Sequence, residues 1–102
     1  MEKLFSYGTL QEEKVQKKII GRSVSATKDT LRKYKLSEIE IENEIFPIIQ
    51  PEKNSIVEGS ILDLTQEELR KTDEYEGVDY KRIKVALESG IEAWVYVKND
   101  SS

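Results

Sequence analysis

Residues 37–49 read SEIEIENEIFPII, and this alternation constrains the fold more than any other stretch of the chain. Ile39, Ile41 and Ile45 fall on one side, and Glu38, Glu40, Glu42 and Glu44 on the other. A two-residue period sends successive side chains to opposite faces of a strand, so the segment reads as a strand with one face against a core and one in water. Asn43 interrupts the apolar side, which predicts a turn or bulge near it, and Pro47 breaks the run. Four glutamates in a row could attract cations. A wet strand face that also discourages edge-to-edge pairing is the plainer account.

The other elements follow from local signals. Leu4 to Tyr7 reads as a short buried strand bounded by Gly8. Gln11 to Ile20 has helix-forming composition with Val15, Ile19 and Ile20 on one side and Gly21 as its stop. Residues 23–36 are consistent with a strand, a turn and the start of another strand. Pro51 to Asn54 reads as a turn, and Ser55 to Asp63 as a strand with Ile56, Ile61 and Leu62 apolar. Thr65 followed by Glu68 is a capping box, predicting a helix from about Gln66 to Tyr75 that ends at Gly77. Tyr80 to Leu87 and Glu92 to Val97 form a hairpin joined at Ser89-Gly90. The order β-α, several β, then α-β-β predicts one mixed α+β domain over residues 1–102 with a strongly curved sheet.

Composition narrows the chemistry. Lys and Arg total 16 against 20 Asp and Glu, and the net charge of −4 argues against non-specific binding to a phosphate backbone. The basic spots at Lys14, Lys17 and Lys18 and at Arg32, Lys33 and Lys35 are flanked by acidic residues and read as solvated faces. No apolar run approaches bilayer length and the N-terminus lacks a signal peptide's apolar segment, so the expectation is a cytoplasmic protein without membrane partners. There is no Cys and no His. Disulfides, thiolate nucleophiles, Ser-His-Asp triads and the common zinc sites are therefore excluded. An enzyme built from this chain has to move protons with a carboxylate, Lys or Tyr.

Two stretches carry chemical interest. Tyr7-Gly8-Thr9-Leu10 lies where a strand hands over to a helix, a place where backbone N–H groups can face an anion and Gly permits close approach. A steric convenience at a turn is the competing account of Gly8. Asp73, Glu74 and Glu76 cluster at the C-terminal end of the second helix, where the macrodipole disfavours negative charge by roughly 0.3–1 kcal/mol at exposed sites. Solvated carboxylates would tolerate that cost. A buried one would have a raised pKa and could serve as a general base. Tyr80 and Arg82 share a strand face, Tyr80 as a candidate pocket residue and Arg82 as a partner for a carboxylate such as Asp73. Phe46 with Pro47 reads equally as a pocket wall or as the end of an edge strand. Trp94 and Tyr96 read as core, and the hydroxyls of Ser6 and Thr9 as hydrogen-bonding groups rather than nucleophiles.

Taken in order, "LFSYGTLQ", "FPII", "VEGSILDL", "DEYEGVDYKR" and "AWVYV" resemble the γ-glutamylcyclotransferase-like superfamily, which includes the γ-glutamylamine cyclotransferases and the AIG2-like proteins. The resemblance runs from about Leu4 to Val97. It implies a small α+β fold with a curved, barrel-like mixed β-sheet and two main helices. It also implies cyclisation of a γ-glutamyl group to 5-oxoproline with release of an amine or amino acid, without metal or cofactor. The family's Tyr-Gly-Ser/Thr-Leu substrate loop matches Tyr7, Gly8, Thr9 and Leu10. Its catalytic Glu, last in an Asp-x-Phe/Tyr-Glu motif, falls on Glu76, and Tyr80 is the further candidate for the substrate pocket. Thr72 departs from the pattern, since the family usually has Leu there. Two other readings stand beside the enzyme: a small-metabolite binding module, and a protein-interaction domain with a vestigial pocket.

Overall fold

A computed structural model describes residues 1–99 of the chain. Five strands and two helices run in the order β1 (Glu2–Ser6), a 3-10 turn (Thr9–Gln11), α1 (Glu13–Ile19), β2 (Ala26–Ile41), β3 (Glu44–Leu64), α2 (Gln66–Glu76), β4 (Tyr80–Ala86) and β5 (Glu92–Lys98). The strands form one curled sheet in the order β2-β3-β1-β5-β4. All neighbours are antiparallel except β1 and β5, so the sheet is mixed, as the family resemblance implies. No helix among the described residues is long and apolar enough to cross a membrane.

The short central strand organises the core because both of its faces are covered. Leu4 and Phe5 are each fully buried, yet their side chains enter different clusters. Phe5 packs with Leu31, Ile49, Val57 and Val95 on one face of the sheet. Leu4 packs with Leu62, Leu64, Leu69 and Ile20, where the helices cover the other face. A strand buried on both sides needs a continuous apolar run, and Leu4-Phe5 supplies it. Val15 and Ile19 pack onto the helix-side cluster, the face the spacing assigned to them.

The middle of the chain departs from the sequence reading. β2 and β3 are two long strands, not a series of short ones, and they pair from Ala26↔Leu62 to Ile41↔Glu44. Residues 23–36 contain no separate turn between strands. Lys33 instead takes a left-handed conformation (φ 70°), and the register jumps from Arg32↔Ile56 to Tyr34↔Pro51. Residues 52–55 are a bulge opposite Lys33, where the sequence reads a turn over 51–54 and the start of a strand at 55. Pro47 and Pro51 do not end a strand either. This part of β3 pairs only with β2, since β1 pairs with Ser60–Leu64. A proline has no N–H to donate and is tolerated where the strand has a free side.

The predicted turn near Asn43 is a two-residue hairpin turn, with Glu42 at φ 49° and Asn43 at φ 69°. It resets the phase of the alternation. Ile39 pairs with Phe46 and Ile41 with Glu44, so Ile45 lies opposite Glu40 and is two-thirds exposed instead of joining the apolar face.

At the junction of β3 with the end of β1, Gly59 is a packing requirement. A Cβ there would lie 2.4 Å from the Ser6 carbonyl oxygen and 2.8 Å from the Phe5 ring. At Gly8 a Cβ would meet nothing nearer than Pro47 Cγ at 3.8 Å. Gly59→Ala is therefore expected to lower stability by about 1–3 kcal/mol in urea unfolding, with a much smaller change for Gly8→Ala. Equal effects of the two would contradict this packing.

Candidate active site

β1 ends in the loop that the sequence singled out. Tyr7 follows the strand, and Thr9–Gln11 close a 3-10 turn through Gln11 N–H to the Gly8 carbonyl (3.2 Å). Gln11 secures the loop from below, accepting from Ser60 Oγ (3.0 Å) and donating to the Gly8 carbonyl (3.3 Å). Among the described residues, the N–H groups of Thr9 and Leu10 have no acceptor. Gly8 has an ordinary negative φ (−123°), so neither backbone conformation nor packing within the chain demands glycine. The missing side chain leaves room for about one methyl group between the loop and Pro47.

The three carboxylates at the end of α2 have different fates. Asp73 receives Arg82 in a two-pronged contact at 2.6 and 3.0 Å, the pairing expected from sequence. Burial alone would raise its pKa, but the Arg82 guanidinium and the Tyr96 hydroxyl hold it below the usual carboxylate range. Glu74 is exposed. Glu76, the last helical residue, is half-buried and makes no ion pair or hydrogen bond among the described residues. Burial pushes its pKa up to about 7. Gly77 then reverses the chain at φ 79°, its N–H capping the Asp73 carbonyl.

A cavity of about 560 Å³ lies between these elements. The loop Tyr7–Leu10 forms one wall, and Tyr75, Glu76, Asp79 and Tyr80 another. The hairpin tip from Ile41 to Pro47 forms the third. All six residues singled out from sequence, Tyr7, Gly8, Thr9, Leu10, Glu76 and Tyr80, thus line one cavity, although Leu10 is itself 2 % exposed and packs in the helix-side core. Both phenols are committed to backbone acceptors. Tyr7 donates to the Tyr96 carbonyl and Tyr80 to the Pro47 carbonyl, each at 2.7 Å. Burial, reinforced by nearby charge, raises both pKa values, Tyr80 to about 12, so both stay neutral with their oxygen lone pairs free to accept.

Sequence reasoning reached the hairpin tip only at Phe46 and Pro47. Of the two readings of Phe46 and Pro47, the pocket wall is the one observed, and Glu42 and Glu44 border the cavity rather than only forming a wet face. Asp79 was not singled out either. Glu42, Glu44, Glu76 and Asp79 give the cavity four carboxylates, and no Lys or Arg lines it among the described residues. The local signal was the Glu row itself, but which glutamates reach the cavity depends on the turn phase.

A model of the family described as gamma-glutamyl cyclotransferase, AIG2-like, matches residues 4–102. The chain belongs to this family. AIG2-like protein D of Arabidopsis thaliana is 31% identical over 88 residues, covering 85% of this chain and 57% of that protein. AIG2-like protein C of the same plant is 34% identical over 88 residues, covering 82% and 48%. This family member spans about half the length of the curated relatives it matches. In fold it is similar to a solved structure described as a gamma-glutamyl cyclotransferase, with a TM-score of 0.80 at 19% identity over 99% of this chain and 68% of that one. An Arabidopsis thaliana solution structure gives 0.79 at 23% identity, over 95% and 61%. The curled five-stranded sheet with two helices is this family's fold.

The raised pKa of Glu76 makes stability depend on pH. Below the unfolded value near 4.5 the group is protonated in both states and burial costs nothing; above about 7 it is charged in both and the full penalty applies. Glu76→Gln is expected to unfold at the same urea concentration as wild type at pH 4 and to be about 1–3 kcal/mol more stable at pH 8. Destabilisation at pH 8 would instead make Glu76 a structural ion-pair partner.

Proposed function

We propose that this family member cyclises a γ-glutamyl group to 5-oxoproline and releases the attached amine, with Glu76 as general acid and base. The observation that carries the reading is an unpaired carboxylate, raised to about 7 by burial, in the same cavity as the Tyr7–Leu10 loop. Such a group is ionised enough at neutral pH to accept a proton and basic enough to take one from an ammonium held against it.

The reaction balances on the substrate and one carboxylate. Ionised Glu76 takes a proton from the substrate's α-ammonium, and the freed amine attacks the γ-carbonyl carbon of the same molecule. The carbonyl electrons move onto oxygen, giving a tetrahedral oxyanion. As the oxyanion collapses, the bond from the γ-carbon to the leaving nitrogen breaks, and Glu76 returns its proton to that nitrogen. After attack the ring nitrogen still carries a second proton and a positive charge; the regenerated Glu76 carboxylate takes that proton and passes it to the departing amine, so 5-oxoproline and an ammonium ion remain. Because nucleophile and electrophile belong to one chain, holding the substrate folded supplies much of the rate.

The rest of the cavity suits these roles. The free N–H groups of Thr9 and Leu10 can meet the α-carboxylate or the oxyanion, and Gly8 lets either approach the backbone. The Tyr7 and Tyr80 oxygens, their protons already given to carbonyls, can accept from the ammonium. The acidic lining favours a substrate that carries positive charge at the reacting end.

The test is turnover of γ-glutamyl amides read out as 5-oxoproline. Glu76→Gln should fold and lose roughly 10²–10⁴-fold in kcat. For wild type, kcat/KM should fall below about pH 7, while the limb in kcat should lie lower, since a bound ammonium favours the ionised carboxylate. A wild-type protein that binds γ-glutamyl amides without releasing 5-oxoproline would mark a binding module instead.

A further inference from the structure

Tyr96 reaches both halves of the cavity through different atoms. Its backbone carbonyl on β5 accepts the Tyr7 hydroxyl at 2.7 Å. Its side-chain hydroxyl lies on the opposite errand, donating to Asp73 Oδ1 at 2.7 Å and meeting Thr72 Oγ1 at 2.7 Å. Thr72 and Asp73 precede Glu76 by four and three residues, so all three occupy one side of α2. Thr72 is fully buried, and its hydroxyl also lies 2.7 Å from the Leu69 carbonyl. Asp73 is fixed in turn by Arg82, whose guanidinium lies 4.5 Å from the centre of the Trp94 ring.

From this geometry we infer that Tyr96 is a positioning residue for Glu76, its hydroxyl clamping the last turn of α2 to β5 at a fixed distance from the Tyr7–Leu10 loop, and that Thr72 is the second half of that clamp. The inference rests on the proposed role of Glu76. It assigns a purpose to Thr72, where a Leu could fill the volume but could not hydrogen-bond a tyrosine hydroxyl. Each hydroxyl also has an acceptor of its own, Asp73 Oδ1 for Tyr96 and the Leu69 carbonyl for Thr72, so the contact between them adds a second tie from β5 to α2.

The clamp acts on Glu76 through solvent. Its carboxylate is raised by burial and lacks a partner, so its basicity depends on how firmly the helix end is held over the cavity. The charged and titratable groups around it are Tyr7 on the loop, Glu42 and Glu44 on the hairpin tip, Tyr75 on its own helix, Asp79 and Tyr80 after it, and Tyr96 on β5. None is basic. Loosening the helix end admits water without exposing Glu76 to a new cation, so its pKa should fall.

Tyr96→Phe removes the hydroxyl and keeps the ring, the core packing and the carbonyl that holds Tyr7. Thr72→Val removes the partner hydroxyl at nearly constant volume. Carbon-detected NMR titration of the Glu76 carboxyl is expected to give a midpoint near 7 in wild type and one at least half a unit lower in each variant. With γ-glutamyl amides, kcat should fall roughly 10-fold or more with KM little changed, because geometry at the reacting end is lost while the loop is not. The doubly substituted protein should resemble Tyr96→Phe alone, since that change already removes both hydroxyl contacts to α2. A Glu76 midpoint and kcat unchanged in both variants would overturn the inference and leave a purely structural network. The titration does not need turnover. A wild-type protein without activity but with shifted midpoints in the variants would sink the enzyme reading while sustaining the clamp.

Discussion

The site depends on a strand of five residues that is buried on both faces. β1 lies between β3 and β5, with Leu4 in the helix-side cluster and Phe5 in the cluster on the other face. Each apolar side chain fully buried contributes about 1.5–3 kcal/mol, so the strand cannot slide by a residue without exchanging its two faces. The loop Tyr7–Leu10 starts where this pairing stops, at Ser6↔Ser60. Its position is therefore set by the most constrained part of the sheet, and Gly59 lets β3 close against that end. A site built on a rigid element holds its geometry better than one carried by a free loop.

The second requirement is a charged group kept where burial and the helix dipole both disfavour it. α2 is secured at its start by the Thr65–Glu68 capping box and by Arg22, which grips Glu68 at 2.7 and 2.9 Å. Toward its end it is secured by Asp73 with Arg82 and by Tyr96 with Thr72. Two acidic residues of this helix thus have cations, which hold their pKa values down, Glu68 to about 2. Glu76 has none. Such an arrangement trades stability for a carboxylate with a neutral-range pKa, a pattern met where proton transfer is needed.

Much of this was legible in the residues, for reasons that differ from element to element. α2 and the β4–β5 pair are announced by short-range chemistry, a capping box and a Ser-Gly turn, and both were found. The β2–β3 pair was misread because Pro47 and Pro51 look like breaks, and their tolerance rests on a strand side that has no neighbour. That is information from elsewhere in the fold. Gln16 shows the same limit: a polar helical residue reads as exposed, yet it is buried and bridges the Leu10 carbonyl and the Val24 N–H. At the site, Gly8 and the misplaced charge of α2 were visible as anomalies, whereas the family resemblance was needed to prefer Glu76 over Asp73 and Glu74. Burial separates these three, and burial is not written locally.

The central claim is that one γ-glutamyl-derived molecule spans the loop and Glu76 at once. The most direct measurement is a crystal structure of the protein with the product, 5-oxoproline, which has no leaving group left to expel. The account predicts the product's carboxylate on the Thr9 and Leu10 N–H groups and its ring N–H within hydrogen-bonding distance of a Glu76 oxygen. Product bound elsewhere, or with its ring nitrogen turned away from Glu76, would contradict it.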